Sequence, residues 1–104
     1  MDYQVGLSRS ARLDIQDIVR YISLDDPQQA LRFGRYLIHH ARSLAQFPLR
    51  GRVVPEFDDP AIRELIIKTY RIVYRVDHVS RSIEIVRFWH AGRVLSNLIQ
   101  DKSR

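Results

Sequence analysis

The chain has 104 residues, 45% hydrophobic and 28% charged, with a formal net charge of +5 and no cysteine. That length suits one domain around one modest core, read here as a single domain over residues 1–104, and the composition is globular rather than disordered. Disulfides and thiolate metal sites are excluded, and no apolar run approaches the roughly 20 residues of a membrane-spanning helix.

Nearly all the positive charge is arginine; only Lys68 and Lys102 are lysine. A guanidinium fork suits phosphate and carboxylate, so a basic surface of this kind favours phosphate-rich or acidic partners. GC-rich coding inflates arginine use and produces the same excess without any function. The first residues, "MDYQVGLS", carry an acid at position 2 and no long apolar stretch, unlike a signal peptide. A cytoplasmic location is the resulting expectation.

"YQVGL" at 3–7 predicts a first strand, and Ser8 is placed to cap a helix. Ala11, Ile15, Ile18, Val19 and Ile22 then form the stripe of an amphipathic helix. "LDDP" breaks it, and Asp26 caps a second helix with Pro27 at its first position, where a missing N–H costs nothing. Ala30, Phe33, Leu37, Ala41 and Leu44 extend one buried face out to Phe47, and Pro48 stops it. Two helices joined by so few residues pack as an antiparallel hairpin.

Residues 48–60, "PLRGRVVPEFDDP", hold three of the four prolines and are expected to be loop. Beyond them the period falls to two. "IRELIIK" (62–68), "YRIVYRV" (70–76) and "SIEIVRFWH" (82–90) predict strands whose short connections imply an antiparallel meander. Val94, Leu95, Leu98 and Ile99 suggest a terminal helical turn over 93–101. The expected architecture is α+β in the order β-α-α-β-β-β: an N-terminal strand, a helical hairpin packed on a mainly antiparallel sheet, and a short helical tail.

Alternation sets Tyr70, Ile72, Tyr74 and Val76 toward the helices and Arg71, Val73 and Arg75 on the other face. In 82–90 it groups Glu84, Val86, Phe88 and His90 against Ile83, Ile85, Arg87 and Trp89. With Val86 and Phe88 toward the helices, Arg87 and Trp89 join Arg71 and Arg75 on the open face. Guanidinium groups hold phosphates and aromatic rings stack bases, so this grouping suits a flexible nucleic-acid strand. The ordinary alternative is that the open face of an antiparallel sheet is polar and often cationic.

His90 has a proton-transfer side chain suited to neutral pH, though alternation points it toward the helix side. His39 and His40 are adjacent on a helix and cannot face one metal together, so no metal site is expected. No P-loop, dinucleotide fingerprint or nucleophilic serine motif is present, and no cofactor is expected. Arg32, Arg35, His39 and Arg42 form a basic stripe along the second helix, either a solvated face or a contact for an acidic partner.

The element order, with "LSRSARLDIQDIVRYI", "LAQFPLRGRVVPEF", "IRELIIKTYRIVYRV" and "IEIVRFWHAGR", resembles the ParE/RelE superfamily, the toxins of bacterial type II toxin–antitoxin modules. The likeness covers nearly the whole chain and is most specific in the strand pair "YRIVYRV…IEIVRFWH". It implies a growth-inhibiting toxin, in a hetero-oligomer with a cognate antitoxin whose C-terminal segment wraps it. RelE-like members cleave mRNA on the ribosome. On that branch the resemblance makes Arg71 and Arg87 phosphate holders and His90 or Lys68 proton-transfer groups. Tyr74, Arg75, Trp89 and Arg93 then contact the nucleic acid. ParE-like members instead poison DNA gyrase and need no hydrolytic site; the long hairpin and the chain length lean that way. A third possibility is a non-toxic relative that keeps only the antitoxin-binding surface.

Overall fold

The computed structural model describes residues 2–92, so the helical turn expected at 93–101 falls outside the described residues. In chain order the elements are β1 (Gln4–Leu7), α1 (Arg9–Ser23), α2 (Pro27–Arg42), a 3-10 turn (Ser43–Ala45), β2 (Arg52–Val53), β3 (Ile62–Ile67), β4 (Tyr70–Asp77) and β5 (Ser82–His90). This is the expected α+β arrangement with one addition. The two-residue β2 lies inside the stretch read as loop, too short to show a period.

Both helix starts follow from local chemistry. Ser8 is extended and its Oγ accepts the amide of Ala11; the Asp26 carboxylate accepts that of Gln29, with Pro27 following. Each such cap contributes about 1 kcal/mol. Gly34 sets the approach of the helices, because a Cβ there would lie 2.8 Å from Val19 Cγ2. The buried face of α2 stops earlier than expected. Leu44 is buried, but Phe47 is 60% exposed, because the 3-10 turn takes the chain off the 3.6-residue period.

The sheet order is β1-β5-β4-β3-β2, with β1 parallel to β5 and the remaining pairs antiparallel. Leu37, Leu44, Leu65, Ile72, Tyr74 and Phe88 lie in the core between helices and sheet. The β3–β4 hairpin turns on Lys68 and Thr69, with Lys68 at a φ of 54°.

β5 departs from simple alternation. Val73 faces Arg87 while Tyr74 faces Ile85, so Val86 is an extra residue, a β-bulge. Ile83 and Ile85 therefore join the helix-side core, and Val86 joins the opposite cluster with Trp89. This corrects the sequence reading for Ile83, Ile85 and Val86, and it puts Glu84 across from Arg75 rather than beneath the helices. Phe88 and Trp89 stand where alternation put them. Ser8 satisfies the carbonyls beside the bulge: its N–H donates to Ile85 O at 2.9 Å and its Oγ donates to Val86 O at 2.8 Å. The second face is not open either. The loop after β2 folds across it, with Val54 and Phe57 packed in the cluster of Val73, Val86 and Trp89.

Candidate functional site on the sheet

Arg71 lies under that loop and is only 8% exposed. Its Nε donates to Glu64 Oε1 at 2.5 Å, and its Nη1 and Nη2 donate to the two Glu56 oxygens at 3.0 Å each. Glu64 is 1% exposed, and its other oxygen accepts from Arg52 Nε at 2.7 Å. Two guanidinium groups thus meet two carboxylates. The bidentate bonds from Glu56, reinforced by Glu64, hold the Arg71 proton more tightly than usual despite burial. Reciprocally, the Arg71 hydrogen bonds hold the Glu56 carboxyl below its ordinary pKa.

Arg87 is held from the other side. Its Nε donates to Asp14 Oδ2 at 2.7 Å and its Nη2 to Asp14 Oδ1 at 2.9 Å. Asp14 Oδ2 also accepts the backbone amide of Phe88 at 3.0 Å. β1 ends at Leu7, opposite Ile85, so the outer edge of β5 beyond that point is capped by α1 instead of a strand. The Arg87 guanidinium carbon lies 4.7 Å from the Trp89 ring centre, a cation–π stack over a wholly buried indole.

The other expected site residues are scattered. Tyr74 is wholly buried on the helix side; its hydroxyl donates to Pro48 O at 2.8 Å and accepts from Gly51 N at 3.0 Å. Burial pushes the Tyr74 phenol pKa up. Arg75 faces Glu84 at 3.8 Å on the exposed part of the sheet. Lys68 and His90 are exposed at the same end of the sheet, since the Lys68–Thr69 turn precedes Tyr70, the cross-strand partner of His90. Arg93 lies outside the described residues.

Three carboxylates, Glu64, Glu56 and Asp14, organise the face and were not singled out as site residues from the sequence. Glu64 left a signal: it is the sole acid in the apolar run "IRELII". Among the described residues, no group of three His, Cys, Asp or Glu side chains is placed to hold a metal ion, and no helix is long and apolar enough to cross a membrane. On the outer side of the hairpin a groove of about 470 Å³ runs between α1 and α2. Ile15, Val19, Leu31 and Ile38 line it, and Arg35, His39 and Arg42 add positive charge.

Residues 5–95 match the profile of a family described as ParE toxin of type II toxin-antitoxin system, parDE. Toxin RelE1 of Caulobacter vibrioides is 32% identical over 94 residues, spanning 86% of this chain and 95% of that protein. The fold is shared with a chain of the chromosomal ParDE toxin–antitoxin system of P. aeruginosa, with a TM-score of 0.69 and 23% identity over 85% of this chain and 95% of that one. It is shared as well with a chain of the RelBE2 toxin–antitoxin complex of Mycobacterium tuberculosis, at 0.66 and 24% over 86% and 99%.

Proposed function

The chain belongs to the ParE toxin family, within the ParE/RelE superfamily of type II toxin–antitoxin toxins, and on that premise we propose that it halts growth by poisoning DNA gyrase rather than by cutting RNA. The observation that carries this reading is the commitment of the two arginines a nuclease would use. Arg71 is held by all three nitrogens to Glu64 and Glu56, and Arg87 is clasped by Asp14. A phosphate entering here must displace carboxylates from charge-assisted bonds, Glu64 and Asp14 among them buried or nearly so, and the rings of Tyr74 and Trp89 offer no exposed face for a base. A protein that acts by docking on its target needs none of these groups free.

The purified protein is expected to inhibit gyrase supercoiling in vitro. Its expression should stop DNA replication and induce the SOS response before protein synthesis falls. Arrest of translation first, with messages cut within codons, overturns the reading. An antitoxin partner fits the outer groove, whose apolar floor and basic rim suit an amphipathic segment carrying acids. Arg35→Glu with Arg42→Glu should then weaken neutralisation without removing toxicity.

A second reading has its own support. Lys68 and His90 are exposed near one another at one end of the sheet, and two side chains able to transfer protons there support a ribosome-dependent endoribonuclease. The ribose 2′-OH would give its proton to a base and attack the adjacent phosphate. The bond to the next nucleotide's 5′-oxygen would break and that oxygen take up a proton, while Arg87 and Arg71 steady the phosphate's charge. Under that reading Arg87→Ala abolishes cleavage in a protein that still folds.

A further inference from the structure

At the end of the sheet where β5 stops, six aromatic rings follow one another across the surface from the sheet onto α2. His90 packs edge-on against Tyr70 with centroids 5.4 Å apart, and Tyr70 meets Phe33 at 5.7 Å. Phe33 stacks on Tyr36 at 6.4 Å, Tyr36 meets His40 at 4.6 Å, and His40 meets His39 at 5.7 Å. Lys68 holds its ammonium 5.7 Å from the centre of the Tyr36 ring. Tyr36, His39, His90 and Lys68 are exposed, while Phe33, His40 and Tyr70 are half-buried and hold the run in place.

The charge around this run is one-sided. Helix α2 contains no acidic residue, and Arg32 and His40 stand one turn either side of Tyr36. Burial, and after it the neighbouring basic groups Arg50 and His39, keep the His40 pKa below its ordinary value. Acids stand at both ends of the run: Asp26 caps the start of α2, and Asp14 and Asp17 share a small cleft of about 200 Å³ with Tyr70 and His90. Asp14 is engaged with Arg87, and Asp17 lies 3.5 Å from Arg20.

We infer that the Phe33–Tyr36–His40 face of α2, with Lys68 and the Tyr70–His90 pair, is a binding strip for single-stranded nucleic acid. Exposed rings flanked by cations suit a strand whose bases stack and whose phosphates need neutralising. An acidic peptide would use the cations and leave the exposed Tyr36 ring without a stacking partner. The strip is separate from the Arg71–Glu64 cluster, and it stands whether the toxin acts on gyrase or on messages.

The test is fluorescence anisotropy of the full chain with labelled oligo(dT) and oligo(U), against duplex DNA and polyglutamate. Binding of a single strand in preference to both competitors is expected, and the preferred sugar identifies the natural source. Tyr36→Ala should weaken it about tenfold and Tyr36→Phe should preserve it, because ring stacking carries the contact. Lys68→Gln should reduce the salt slope by roughly 0.7, the loss of one phosphate contact on a single strand. Circular dichroism checks that each variant is folded. No binding, equal binding of polyglutamate, or full affinity in a folded Tyr36→Ala protein overturns the assignment.

Discussion

Asp14 and Arg87, 73 residues apart in sequence, meet through two parallel hydrogen bonds of 2.7 and 2.9 Å, and the same carboxylate takes the Phe88 amide. One side chain thereby joins α1 to the edge of β5 and fixes the guanidinium above Trp89. Asp14→Asn keeps the shape and one acceptor oxygen but removes the charge and sets an NH2 donor against an N–H of Arg87 or Phe88. It should destabilise the fold by about 2–4 kcal/mol, because the mostly buried Arg87 loses the bidentate Asp14 carboxylate. Urea denaturation measures this, and a loss under about 0.5 kcal/mol would show that the pair is incidental.

Glu64 and Glu56 both bind Arg71, yet their removal should differ. Glu64→Gln strips the buried charge from between Arg52 and Arg71 and should cost about 3–5 kcal/mol. Glu56 sits in the loop with its side chain well exposed, so Glu56→Gln should cost about 1 kcal/mol or less. Equal costs in urea melts would contradict the burial difference.

The Glu56 pair also sets a pH signature. Its carboxyl pKa is lowered in the folded protein, so the unfolded chain binds the proton at higher pH. The stabilisation is complete above the unfolded value near 4.5 and disappears as pH falls through the lower folded value. The stability gap between wild type and Glu56→Gln should therefore stay constant from neutral pH down to about 5 and close below it. A gap that widens in acid refutes this linkage.

Gly34→Ala should lower stability by about 1–3 kcal/mol, since its new methyl would sit 2.8 Å from Val19 Cγ2. Combining it with Val19→Ala should cost less than the two single changes added together, the sign of direct contact. Thermal melts of the three variants decide it. Strict additivity removes the steric explanation.

Trp89 is the chain's one tryptophan and is wholly buried. Its emission should be blue-shifted and resistant to acrylamide in the folded protein. Saturating single-stranded RNA should leave that emission unchanged if Trp89 is a core residue, whereas a stacking platform would be strongly quenched.

Much of the architecture was legible because its causes are local. Ser8 and Asp26 cap helices through atoms three residues away, and the helix-facing side of β4 follows from strict alternation. The grouping of Arg71, Arg87 and Trp89 on one face was legible for the same reason. The bulge at Val86 was not, since one extra residue in a strand leaves the composition of "SIEIVRFWH" unchanged. The overreach to Phe47 has a similar origin, a helix that tightens into a 3-10 turn before its apolar pattern ends.

By itself, the sequence determined the order of elements, the faces of the helices and the likeness to the ParE/RelE toxins, all written in residues near one another along the chain. Only the tertiary structure decided what the arginines do. Their carboxylate partners lie 7, 15 and 73 residues away, on elements brought together by the sheet order and the returning loop. A guanidinium reads the same in sequence whether it is waiting for a phosphate or already holding an acid. Which of these holds depends on distance through space, and packing alone sets that distance.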